Sequence, residues 1–175
     1  MKGTHMRDTD MKDTYRSDTY MSDADTSGAR QPVTHPGMAP HLQQMLAQDA
    51  FSRWLGVSLV SVSPGNCVMR MRVRDDMMNG FGVSHGGIVF AFADSAMAFA
   101  CNAGEKVTVA VDNQIAYPAG VHVHDDLIAE AIEDSATGRL GFYRVTVRNQ
   151  HNVVVALFRG TVYRTKRTHE AGPAA

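Results

Sequence analysis

Cysteine is nearly missing from this 175-residue chain: Cys67 and Cys101 are the only two. Two cannot build a disulfide framework, so a reducing compartment is expected. Neither has a basic neighbour in sequence to stabilise a thiolate, and both read as inert core thiols. An excess of one charge is missing too. The 17 Lys and Arg face 18 Asp and Glu, a formal net charge of −1, which gives nucleic acid or an anionic membrane no electrostatic handle. Long apolar runs are also lacking. The longest, Ile88 to Cys101, is broken by Asp94 and Ser95, whereas a bilayer core of about 30 Å needs about 20 apolar residues. The first residues have no apolar stretch of the secretory-signal kind. The chain therefore reads as soluble and cytoplasmic. A serine-nucleophile elbow, a phosphate-binding P-loop and a dinucleotide fingerprint are all absent.

Residues 1–41 lack Leu, Ile, Phe and Trp and hold a single Val, Val33. Asp-Thr recurs there at 8–9, 13–14, 18–19 and 25–26, a degenerate short repeat. So little apolar area cannot offset the entropy of ordering. The segment is expected to be a disordered polar extension, followed by one domain over 42–165 and a frayed end over 166–175.

Within that domain Leu42, Met45, Leu46, Ala50 and Trp54 recur at helical steps, with Gly56 as a C-cap, predicting one short amphipathic helix. Val57–Ser63 reads as a strand and Pro64-Gly65-Asn66 as a turn. Over 67–74, Cys67, Met69, Met71 and Val73 alternate with Val68, Arg70, Arg72 and Arg74, a half-exposed strand whose arginines face water. Residues 75–84 form a loop. From about Gly86 to Ala103 the chain is apolar on nearly every side, the mark of a helix buried all round. Strands follow over about 107–117, 126–134, 140–149 and 153–164. With no helix between the later strands the sheet should be antiparallel. The expected class is α+β, an antiparallel sheet wrapped around one central helix.

Asp94 stands in the middle of that helix, and its neighbours at three and four residues are Phe90, Ala91, Met97 and Ala98, none able to pair with it. A buried lone carboxylate costs several kcal/mol or titrates until neutral. Either the group is used, or it faces solvent or caps a backbone group. At the helix start stands His85-Gly86-Gly87. The first amides of a helix lack internal partners and carry about half a positive charge, which suits an anion or oxyanion. Gly86 and Asp94 lie about 12 Å apart at about 1.5 Å per residue. One carbonyl cannot touch both, so joint action on one substrate requires two chains with antiparallel helices, and hence a dimer with sites at its interface.

Over about 45–165 the chain resembles the hotdog-fold thioesterases of the PaaI type. The resemblance rests on Phe51-Ser52-Arg53-Trp54-Leu55-Gly56, on Asn79-Gly80-Phe81-Gly82-Val83-Ser84-His85-Gly86-Gly87, on Ala93-Asp94-Ser95-Ala96, and on Val155-Ala156-Leu157-Phe158-Arg159-Gly160. It implies hydrolysis of an acyl-CoA thioester, with aryl, arylacetyl or medium-chain acyl groups, by a homodimer paired into a homotetramer. No cofactor is implied beyond the coenzyme A of the substrate. Asp94 would be nucleophile or general base, the Gly86 amide would polarise the carbonyl with Gly87 beside it, Asn79 would help place carbonyl or water, and His85 would orient the helix start.

Relatives often carry Ser or Thr where this chain has Ala110. Asp112, two residues on, or Asn113 would have to substitute. Pro118 follows Tyr117 directly and His124 stands where Gly is usual, so loop 118–125 should shape the pocket differently. Coenzyme A phosphates need basic groups, and Arg139, Arg159, Lys166 and Arg167 are the candidates. His122 and His124 with Asp125 and Asp126 have spacing a metal site can use, but no Cys or further His lies near, and a solvated loop without metal is the reading. Two alternatives stay open. One is a non-catalytic acyl-CoA-binding sensor or scaffold. The other is a dehydratase or hydratase using His85 and Asp94.

Overall fold

The computed structural model of the chain describes residues 38–169. Of the extension expected over 1–41, residues 1–37 lie outside the described residues, as do 170–175 of the end expected to fray over 166–175. Both expected domain limits move outward. Pro40, at the first turn where its missing N–H costs nothing, opens a helix α1 over Pro40–Gln48, and Met38 before it is already buried. The last strand reaches Thr168 rather than stopping near 164.

The single helix predicted from Leu42 to Trp54 is two. Asp49 ends α1 and its carboxylate accepts from Ser52 N–H, capping α2 over Ala50–Leu55. Aspartate competes for backbone donors and so favours caps over helix interiors. Trp54 is correspondingly not core. It is half exposed, stacked on Phe51 under the Arg74 guanidinium.

Strands β1 (Ser58–Ser63) and β2 (Asn66–Arg72) form the expected hairpin. In β2, Cys67, Met69 and Met71 are buried while Arg70 and Arg72 are exposed, as the alternation requires. A 3-10 turn at Asp75–Met77 interrupts the expected loop, and α3 runs over Gly86–Asn102. Then come β3 (Lys106–Ala116), β4 (Asp126–Thr137), β5 (Leu140–Arg148) and β6 (Val154–Thr168). The six strands lie in the order β1-β2-β4-β5-β6-β3, every pair antiparallel. Phe92, Met97 and Phe99 of α3 are buried with Met69, Leu127, Val145 and Phe158 of the sheet. Each such side chain contributes about 1.5–3 kcal/mol. This is the hotdog arrangement, one helix held in a curved antiparallel sheet. None of the described helices is long and apolar enough to cross a membrane.

Two features differ from the sequence expectation and bear on the site. First, α3 is not buried all round. Gly87 is exposed and Ala91, Asp94 and Ala98 are half-buried, a stripe at four-, three- and four-residue steps that the sheet leaves open. Second, β3 is a sheet edge with a β-bulge. Its register to β6 slips between Ala110 and Asp112, making Val111 the extra residue. A bulge reverses which residues face inward.

Candidate active site

Gly86 is the first residue of α3 and His85 is its N-cap, with φ −60° and ψ 130°. The His85 ring Nδ1 accepts the Gly87 N–H at 3.0 Å. His85 therefore caps the helix, and the Gly87 donor is spent. The Ile88 N–H bonds to the His85 carbonyl. The Gly86 N–H has no acceptor among the described residues, so one amide is left open at the positive end of the helix.

Tyr117 adds a contact that the sequence did not suggest. Its hydroxyl donates to the Gly86 carbonyl at 2.8 Å, and its ring lies so close that a Cβ on residue 86 would come within 3.3 Å of it. The two residues are 31 apart in sequence, and no local pattern joins them. Asn79 organises the loop before the helix. Its Oδ1 accepts from the Phe81 and Val83 amides, and its own N–H bonds to the Val83 carbonyl. This turn holds Phe81 out with 94% of its surface exposed.

Asp94 is half-buried, one residue before Ser95, whose hydroxyl meets that of Ser52 in α2. The Asp94 Oδ1 accepts from the Asn113 Nδ2 at 2.9 Å. Burial raises the Asp94 carboxyl above its ordinary value, and the Asn113 hydrogen bond pulls it partway back. Among the described residues the carboxylate thus has one hydrogen-bond partner, from a neighbouring strand.

Asp112 is not that partner. The bulge at Val111 puts Asn113 opposite buried Gly160, facing α3, while Asp112 pairs with Thr161 and is exposed. Strict alternation from Ala110 would have turned Asp112 inward.

The basic candidates do not converge on Asp94 within one chain. Arg139 sits beyond β4 at the far end of the sheet, donating to the Tyr163 hydroxyl. Arg159 alternates with buried Phe158 and Gly160 and points off the outer face. Lys166 and Arg167 lie exposed near the end of β6. Arg72 pairs with Asp126, and Arg74 with Asp76.

In loop 118–125, Asp125 spends its carboxylate on the His122 amide and the Gln150 side chain. No cluster of metal-ligating side chains occurs among the described residues. His124 has φ 69°, the left-handed conformation that favours glycine. Cys67 and Cys101 are buried, and burial pushes both thiols up to about 12, which leaves neither as a ready nucleophile.

The arrangement offers one open amide at a helix start and one carboxylate with a free oxygen, two helical turns apart. The known proteins that the chain is similar to are thioesterases and putative esterases. The family model of the thioesterase superfamily matches residues 81–156. The acyl-coenzyme A thioesterase PaaI of Escherichia coli is 35% identical over 120 residues, covering 69% of this chain and 86% of that protein. A putative esterase of Archaeoglobus fulgidus is 32% identical over 120 residues, covering 69% of this chain and 78% of that one. The solved structure of the E. coli PaaI protein superposes with a TM-score of 0.70 at 32% identity, covering 75% of this chain and 98% of that one.

Proposed function

The chain belongs to the PaaI-type acyl-CoA thioesterases of the thioesterase superfamily, and from that premise we propose that it hydrolyses an aryl, arylacetyl or medium-chain acyl-CoA to the free acid and coenzyme A at sites shared between two subunits. The observation that carries this reading is the isolated pair of groups on α3. The Gly86 N–H has no acceptor among the described residues, and Asp94 is the single carboxylate on the helix. Eight residues of helix, about 12 Å, separate them.

A two-fold axis beside α3 brings Gly86 of one chain to Asp94 of the other. The open stripe Gly87, Ala91, Asp94 and Ala98 supports this. Three of its four residues are small, so two helices can approach closely there. The unpaired edge of β3 supports it too, since Val109 and Val111 are 48% and 58% exposed and a second β3 would cover them.

In the reaction the Gly86 amide donates to the thioester oxygen, which gains negative charge as the carbonyl carbon is attacked. Asp94 either attacks that carbon itself or takes the proton from the attacking water. The C–S bond then breaks and coenzyme A leaves as thiolate. On the direct route water then cleaves the Asp94–acyl anhydride; on either route the free acid is released, the Asp94 carboxylate is restored and a proton from that water passes to the thiolate. His85 and Tyr117 hold the helix start in place, and Asn79 shapes the loop before it.

The test is thiol release from arylacetyl-, benzoyl- and straight-chain acyl-CoAs by wild type and Asp94→Asn. Turnover by wild type and a loss of at least about 100-fold in the variant are expected, the size typical of removing a general base. Full activity in Asp94→Asn would sink the assignment. The acyl groups hydrolysed fastest define the substrate class.

A further inference from the structure

Asn113 is an expensive residue for its position. Its Nδ2 bonds to Asp94, but its Oδ1 is buried with no partner among the described residues. An orphaned buried acceptor costs about 1–3 kcal/mol. Valine or leucine would fill an inward strand position without that cost.

The fold makes two further accommodations for it. The bulge at Val111 shifts β3 by one residue and turns Asn113 toward α3. Opposite it on β6 stands Gly160, where a Cβ would overlap the Met97 sulfur and come within 2.8 Å of the Asn113 Oδ1. Met97 lies one turn beyond Asp94 on the same helix. Gly160 is therefore the notch into which Met97 and the Asn113 amide fit.

We infer that Asn113, seated against Gly160 and Met97, is the positioning residue for the reacting carboxylate, pinning one Asp94 oxygen so that the other faces the substrate. The inference rests on Asp94 being the reacting group. The amide donates more strongly to a carboxylate oxygen than to the neutral carboxyl, so it favours the ionised form that either role requires. It also fixes the χ rotation of the carboxylate, leaving Oδ2 in one orientation. Burial and this amide are the two influences on the Asp94 carboxyl from the described chain. Cys101, two turns further along α3, lies within electrostatic reach but is uncharged across any practical assay range. Ala110, which has no polar atom to offer, leaves this task to Asn113.

The test measures kcat, KM and the pH dependence of kcat/KM for Asp94→Asn, Asn113→Leu and Asn113→Asp, with thermal unfolding of each as a check on folding. In Asn113→Leu, kcat should fall about tenfold, the equivalent of about 1.4 kcal/mol, with KM within about twofold. The acid limb of kcat/KM should move to higher pH, because burial then acts unopposed. Asn113→Asp keeps the shape and sets two carboxylates side by side, so they share a proton and the limb should move further in the same direction.

Gly160→Ala should lose activity by displacing the same amide. Its loss should therefore not add to that of Asn113→Leu in the double variant. A wild-type acid limb in both Asn113 variants would overturn the inference, as would fully additive losses. These outcomes are distinct from failure of the functional reading. If Asp94→Asn is inactive while Asn113→Leu behaves as wild type, only the positioning role is lost. If Asp94→Asn remains active, the functional reading itself has failed.

Discussion

Asp94 sets function against stability, and the sign of the conflict can be worked out. Its carboxyl titrates above its ordinary value in the folded chain, chiefly through burial. The folded state therefore holds this proton more tightly than the unfolded state. That stabilisation is fully present below the unfolded value and is lost as pH rises through the folded value. At neutral pH the ionised group is a liability. Asp94→Asn should raise the melting temperature at pH 7 relative to wild type. The gain should shrink as the buffer is taken down through the carboxylate range, as thermal scans at several pH values would show. A variant no more stable at pH 7 than wild type would mean that the Asn113 hydrogen bond outweighs burial. His124 carries a smaller strain of another kind. It sits at φ 69° in an exposed part of loop 118–125, a conformation that costs a non-glycine residue about 1–2 kcal/mol. Glycine gives back about 0.4–1 kcal/mol through the freer unfolded chain. His124→Gly should therefore stabilise by about 0.5–1 kcal/mol, read as a higher denaturant midpoint at unchanged slope.

Elements were legible in the sequence where one local rule governed them and illegible where two competed. The alternation in Cys67–Arg72 is a single period-two signal, and β2 follows it. The apolar run from Gly86 to Asn102 is a single helical signal, and α3 follows that. At Asp49, by contrast, helical periodicity ran on while the carboxylate preferred to cap, and the cap won. Its oxygens take both the amide and the hydroxyl of Ser52, and that hydroxyl in turn reaches Ser95 beside the candidate catalytic residue. Asp49→Ala should cost about 1 kcal/mol in chemical denaturation, near the middle of the range for lost N-caps. The bulge in β3 was hidden for a different reason. Val111 looks like any strand residue, and its slip is set by pairing with β6, some fifty residues downstream. That is why the sequence left Asp112 and Asn113 as alternatives, of which Asn113 is the one that meets Asp94. The Tyr117–Gly86 bond was unreadable on the same ground, as a contact made by tertiary packing alone. Asp94 and the helix start were legible because a carboxylate in an apolar helix and a pair of glycines are anomalies at the level of the chain.

At the scale of the whole molecule the two groups on α3 raise one question, whether a working site draws them from one chain or from two. The geometry permits a decisive answer by complementation. Asp94→Asn removes the carboxylate and leaves the amide. Gly86→Pro removes the amide N–H and leaves the carboxylate. Proline suits this position because residue 86 opens the helix, where a missing N–H breaks no internal bond. His85 before it already has the extended backbone that a following proline requires. The half-exposed Tyr117 ring can swing aside to admit the new side chain. Each variant alone should be inactive. If sites are shared across the two-fold axis, a dimer containing one of each holds one intact pair and one doubly damaged pair. An equal mixture, co-expressed or refolded together, makes half of its dimers mixed, and one of two sites in each then works. Activity should return to about a quarter of the wild-type value per site. If each chain supplied both of its own groups, every site in every combination would lack one of them. The mixture would then stay as inactive as its components.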